Sequence, residues 1–126
     1  MKKQIIKKIN DINQDIAQKG LSIVLPNGQQ MDNAWLPDEI KQMLIDECNR
    51  SEEEKTHLAL IKYFGGPGTW WVSEYVSESD LFFGKAEIHF KEYGYVGREE
   101  LRETRISSFL WIERDFWFEP RPLEEC

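Results

Sequence analysis

The sequence predicts an α+β domain: an antiparallel sheet of about five strands with two or three helices packed on one face. Three observations carry that prediction. Ile5, Ile9, Ile12 and Ile16 recur at spacings of four, three and four, as on one stripe of a helix. From Thr56 onward, short apolar runs are separated by clusters of Gly, Pro, Ser and Asp that favour turns. Within residues 81–90, hydrophobic and polar side chains alternate with the period of a half-buried strand.

In chain order, the isoleucine stripe defines a helix over roughly the first eighteen residues. Lys2, Lys3, Lys7, Lys8, Asp11 and Asp15 lie mostly off the stripe, and Gly20 is placed to end the helix. The stripe carries no Trp or Phe of the kind that anchors a helix at a membrane surface, so it is expected to pack on its own domain. Residues 21–25 read as a short strand, and Pro26-Asn27-Gly28 as a turn. A second helix opens at Leu36-Pro37-Asp38-Glu39, because proline is tolerated in the first turn and acids there complement the helix dipole. Ile40, Met43, Leu44 and Cys48 follow on one face. After a charged connection over 49–55, strands are expected at 56–64, 69–76, 81–90, 94–96 and 112–119, with a short helix at 98–103. Gly65-Gly66-Pro67-Gly68 is the first hairpin turn, and Pro120 and Pro122 stop the last strand.

The chain of 126 residues fits one domain, 1–126, in which 1–35 form a helix-and-hairpin extension ahead of a core over 36–123. Its formal charge of −7 weighs against a protein that wraps duplex DNA, since such binding neutralises phosphates with Lys and Arg. Up to Lys55 there are 8 basic and 10 acidic residues, beyond it 8 and 13, so neither half conceals a basic module. Cys48 and Cys126 have neither disulfide nor zinc spacing and read as free thiols of a reducing compartment. Charge interrupts the N-terminal apolar residues, so no signal peptide is expected, and no stretch is long enough to span a bilayer. The expected location is the cytoplasm.

Several strings of the second half occur in a characteristic order: Leu60-Ile61-Lys62-Tyr63-Phe64, Gly68-Thr69-Trp70-Trp71-Val72-Ser73-Glu74 and Leu81-Phe82-Phe83-Gly84. Tyr93-Gly94-Tyr95-Val96 follows, with Glu100-Leu101, and then Ile112-Glu113-Arg114-Asp115 with Phe118, Pro120 and Pro122. Over 36–123 the chain resembles the bacterial family catalogued as domain of unknown function 2958. It departs from the family at Ser107-Ser108-Phe109-Leu110-Trp111, where relatives carry a Gly/Pro-rich lead. The resemblance implies a setting on plasmids, conjugative elements and phages, and no chemistry.

Glu113-Arg114-Asp115 is the first candidate site. On a strand, Glu113, Asp115 and Glu119 share a side with Trp111 and Trp117, and Arg114 points with Ile112, Phe116 and Phe118. An arginine among apolar neighbours calls for a carboxylate, and Glu74, expected on the face of Trp70, Val72 and Val76, is the preferred partner for a structural ion pair. The functional alternative is an Arg114 that grips the carboxylate or phosphate of a ligand, beside Glu113 and Asp115 in acid–base or Mg²⁺-binding roles. His57 and His89 stand alone; there is no nucleophile motif, phosphate loop or zinc signature, and neither a metal site nor a cofactor is expected.

The aromatic residues form the second candidate. Trp70, Trp71, Tyr95, Trp111 and Trp117, with Tyr75, Tyr93, Phe82 and Phe83, exceed what a small core can bury, and Trp70 and Trp71 must point to opposite faces. Exposed Trp and Tyr are favoured anchors at protein interfaces. The preferred expectation is a non-enzymatic protein-interaction module, an accessory or antagonist factor of a mobile element with a protein partner. One alternative is a small enzyme or ligand-binding domain built on Glu113, Arg114 and Asp115. A second is single-strand nucleic-acid binding through aromatics flanked by Arg98, Arg102 and Arg105, among which Glu99, Glu100 and Glu103 are interleaved.

Overall fold

The computed structural model describes residues 1–126. Helix α1 (Lys2–Ala17) buries Ile9, Asn13 and Ile16, with Ile5 and Ile12 packed beside them, so the isoleucine stripe meets its own domain. The helix stops at Ala17 rather than at Gly20. Gly20, at φ +56°, instead opens a short 3-10 turn, Gly20–Ile23, which replaces the strand expected at 21–25. Of that run only Ile23 is buried, and Leu21 is 88% exposed. Four apolar residues and a serine with one anchored side chain gain too little burial to hold an extended strand, and the expected hairpin shrinks to the single bridge Val24↔Gln30.

A one-turn helix α2 (Asp32–Trp35) delivers Trp35 to the core, and α3 (Asp38–Asn49) follows directly after Pro37, with Asp38 and Glu39 in its first turn. Ile40 and Leu44 are buried on α3 as the periodicity requires. Residues 56–64 are not one strand. Strand β1 (Leu58–Ala59) pairs with a C-terminal segment, whereas β2 (Ile61–Gly65) enters the main sheet. Strand β3 (Gly68–Val76) returns across a two-residue turn in which Gly66, at φ +54°, takes the first central position and Pro67 the second. That is the handedness a tight hairpin requires.

Strand β4 (Leu81–Glu87) ends three residues short of Phe90, so Ile88 and Phe90 are exposed in the connection to β5 (Lys91–Gly97). Helix α4 (Arg98–Arg102) follows, then the small hairpin β6 (Arg105–Ser107) and β7 (Leu110–Trp111). The strand expected at 112–119 is only β8 (Glu113–Arg114). Beyond it the Asp115 carboxylate accepts the Trp117 N–H at 2.8 Å and turns the chain out of the sheet, towards β9 (Arg121–Pro122), the partner of β1.

The main sheet is antiparallel in the order β5-β4-β3-β2-β8. One face carries the helices over a core of Ile9, Trp35, Ile40, Leu44, Tyr63, Val72, Tyr75, Phe82 and Leu101, among others. The Tyr63 hydroxyl donates to Trp35 O at 2.7 Å, and the Trp35 indole donates to Ile112 O at 3.0 Å, so the centre of this core satisfies its polar atoms internally. The other face is covered only in part, by a smaller cluster in which Phe118, Leu123 and Cys126 pack on Trp71 and Ala59. Cys126, a free thiol at the last position, is therefore buried and held in place.

Candidate functional site

Arg114 is 1% exposed and lies in the interior between α1, α2 and β8. Its Nε donates to Ala34 O at 2.8 Å and its Nη1 to Asn13 Oδ1 at 2.7 Å, and the guanidinium lies 4.7 Å from the Phe116 ring centroid. Gln30 brackets its backbone, accepting the Arg114 N–H at 2.8 Å and donating to Arg114 O at 3.3 Å. The ion pair expected with Glu74 does not form. Glu74 instead receives Lys55 Nζ at 3.1 Å on both carboxylate oxygens.

The cause is a β-bulge. Register slips between Val72 and Glu74, so Ser73 is an extra residue, and Tyr75 rather than Glu74 follows Val72 onto the helix face. Arg114 is thus a buried charge held by neutral acceptors at Nε and Nη1, while its Nη2 is buried without a hydrogen-bond partner. Burial pulls its pKa down to about 10, which leaves it cationic at neutral pH. The surrounding protein leaves almost none of it accessible.

Its neighbours separate. Asp115 turns the chain and stands 3.7 Å from Lys62 Nζ. Glu113 faces Phe64 across the β2–β8 pair and rims a shallow depression with Ile106, Leu110 and Trp111, where burial raises its pKa. No group of three or more His, Cys, Asp or Glu side chains is arranged so that it could hold a metal ion. The arginines proposed for a nucleic-acid groove are engaged within the protein. Arg98 clamps Asp80 at 2.7 and 3.0 Å, Arg102 donates to Gln30 O and to Asp32, and Arg105 lies on the Trp111 ring.

Among the candidate aromatics, Trp71 and Trp111 are buried, Trp111 donating its indole N–H to Asn27 O at 3.1 Å. Trp70 packs half-buried against the main core, on the opposite face from Trp71 as the alternation demands. Trp111 and Trp117 do not share a side, because the strand that would have aligned them ends between them; Trp117 is 82% exposed.

Tyr95 belongs to a feature the sequence reading did not assemble. On the sheet face away from the helices, a groove of about 560 Å³ runs between β4–β5 and the C-terminal segment. Phe83, Tyr93 and Tyr95 form one wall and Leu123 and Glu124 the other, with the Lys55–Glu74 pair and Ser73 along it. Phe83 and Tyr95 pack at 5.0 Å between ring centroids, and Lys85 Nζ lies 5.0 Å from the Tyr93 centroid. The same bulge builds this face, since it places Ser73 and Glu74, two successive residues, opposite Phe83.

The groove's rim is set by Glu47. This buried carboxylate accepts the N–H groups of Thr56 (2.9 Å) and His57 (2.8 Å) and the Arg50 guanidinium (2.7 Å). Burial alone would raise its pKa, but these donors outweigh burial and hold it below the usual carboxylate range. His57, so fixed at φ +54°, presents its imidazole Nε2 3.3 Å from Glu52 on the rim. The i, i+2 repeat of Tyr93 and Tyr95 was the one sequence signal for the wall. Nothing in the sequence tied it to residues 52–57 or 122–124.

The fold and site define a small α+β domain whose sheet is packed on one face and half-open on the other, with an aromatic groove where it is open. The chain belongs to a family of proteins of unknown function, DUF2958, whose model matches residues 35–124. That span takes in the whole main sheet and the groove except its N-terminal contributor, Lys2. No curated protein and no solved structure matches the chain.

Proposed function

We propose that the protein is a non-enzymatic interaction module that holds a segment of a protein partner in the groove between β4–β5 and the C-terminal segment. The observation that carries this reading is the exposure of the groove's aromatic wall: Tyr93 is 55% and Tyr95 65% accessible, although both sit in a regular strand. Large aromatic side chains left bare beside a concave surface are the anchors a partner would cover. Glu52 and Glu124 at the edges favour a partner segment with a basic side chain. Free thiols at Cys48 and Cys126, and no helix long and apolar enough to cross a membrane, fit a cytoplasmic place of action. The resemblance read from the sequence adds the setting, an accessory or antagonist factor of a plasmid or phage.

The test is affinity capture from lysate of the native host, with nuclease treatment, comparing the native chain with a Glu52→Lys/Glu124→Lys variant. Both positions are exposed, so the variant keeps its fold. A stoichiometric protein that survives nuclease and is lost with the variant supports the reading. Capture that disappears with nuclease, or that ignores the groove substitutions, overturns it.

A further inference from the structure

Strand β5 is the free edge of the main sheet, paired with β4 on one side and with nothing on the other. Residues 91–95 are exposed without interruption, and the ladder to β4 is regular over the whole strand. One step beyond its last pair, the Arg98 N–H donates to Asp80 O at 3.0 Å. Bonded and non-bonded pairs alternate in an antiparallel ladder, so Glu92, Gly94 and Val96 direct their backbone groups at β4. Lys91, Tyr93 and Tyr95 direct theirs outward.

Exposed edges are ordinarily guarded by proline, a bulge or an outward lysine. Strand β5 has no proline and no bulge. Its one lysine is drawn back onto its own chain, where Lys91 Nζ donates to Cys126 O and lies 5.3 Å from the Trp71 ring centroid. The central three residues of the strand, Tyr93-Gly94-Tyr95, read the same in both directions.

We propose that a second copy of this chain occupies the edge, the two β5 strands pairing antiparallel about a two-fold axis at Gly94. In this register Tyr93 faces the partner's Tyr95 and Tyr95 the partner's Tyr93. These are the residues whose backbone groups point outward, so each pair exchanges two N–H···O=C bonds. Glu92 meets the partner's Val96, which keeps the two Glu92 carboxylates apart, and the two glycines meet on the axis. The contact is isologous and closes as a dimer. Because the axis stands perpendicular to the sheet, both copies turn the same face outward, and four tyrosines form one strip joining the two grooves. The strip's role in binding rests on the groove reading above; the strand pairing does not.

Gly94→Cys tests the register. A Cβ at Gly94 meets no atom within 4 Å, so the substitution is accommodated. The facing non-bonded pair places the two Cα atoms about 4.5 Å apart, within disulfide reach. The native chain is expected to sediment at twice the chain mass, and Gly94→Cys to form a disulfide-linked dimer under mild oxidation. Glu92→Cys and Val96→Cys are each expected to stay unlinked alone and to cross-link when mixed. The native chain, with Cys48 and Cys126, is the unlinked control. A monomer at every concentration overturns the proposal, as does self-linking of Glu92→Cys in place of Gly94→Cys. Cross-linking of Gly94→Cys to a captured protein, rather than to itself, gives the edge to that protein and also overturns it. A monomer that still captures a groove-dependent partner sinks the dimer alone; a dimer that captures nothing sinks the groove reading alone.

Discussion

Arg114 holds three segments together without a counter-ion: Asn13 of α1, Ala34 of α2 and, through Gln30, the stretch between the 3-10 turn and α2. A buried charge is costly to desolvate, and removing one partner of such a network leaves the others unsatisfied. Arg114→Met keeps the apolar stem but strands the Ala34 carbonyl and the Asn13 amide, and should cost about 2–4 kcal/mol in urea denaturation. Adding Asn13→Leu removes one stranded acceptor along with the charge. The double variant should therefore lose less than the sum of the single losses, by about 1 kcal/mol or more. Strict additivity would show that Arg114 and Asn13 do not act as a unit.

At the scale of elements, the close packing of β3 on β4 depends on a missing side chain. A Cβ built at Gly84 would run into Trp71 O, a backbone atom that cannot swing aside. Gly84→Ala is expected to displace the β3–β4 ladder and cost about 3 kcal/mol or more, read as an earlier urea midpoint and a changed tryptophan emission. An unchanged midpoint would mean that the ladder yields at no cost. The contrast with Gly94, one strand further out on the sheet's edge and exposed, shows why two glycines in register (Gly84↔Gly94) are not equivalent. Elements with strong local signals were legible in advance: the isoleucine stripe of α1, the Pro37-Asp38-Glu39 start of α3, the Gly66-Pro67 turn and the alternation of β4. The run over 21–25 was misread because its strand character depended on burial that only Ile23 obtains. The strand at 112–119 was misread because the turn at Asp115 is made by a side chain capping its own backbone.

For the molecule as a whole, acid sensitivity follows from the same contacts. Glu47 and Asp80 both hold their protons less tightly than free carboxylates. For Asp80 the Arg98 guanidinium is the main cause, and for Glu47 the Thr56, His57 and Arg50 donors overcome burial. A carboxylate whose folded pKa is depressed stabilises fully above its unfolded value, and that contribution is lost as pH falls through the folded one. Stability should therefore decline as pH drops below the ordinary carboxylate range. Glu47→Gln should flatten this acid limb and cost about 2–4 kcal/mol near neutrality, measured by denaturation at a series of pH values. Glu113 works in the opposite sense: burial raises its pKa, so its burial penalty appears as pH rises through the carboxylate range. If the native and Glu47→Gln acid limbs coincide, Glu47 is not the staple of the groove rim.

By itself the sequence determined the class of fold, the helix that packs on its own domain, the opposite facing of Trp70 and Trp71 and the surplus of aromatic side chains. All of these follow from periodicity and turn chemistry within a dozen residues. Only the tertiary structure decided which aromatics stay exposed, which partners Arg114 takes and where a groove opens. A single extra residue at Ser73 inverts the phase of β3, and contacts such as Asn13 with Arg114 and Leu58 with Pro122 join segments that no local pattern connects.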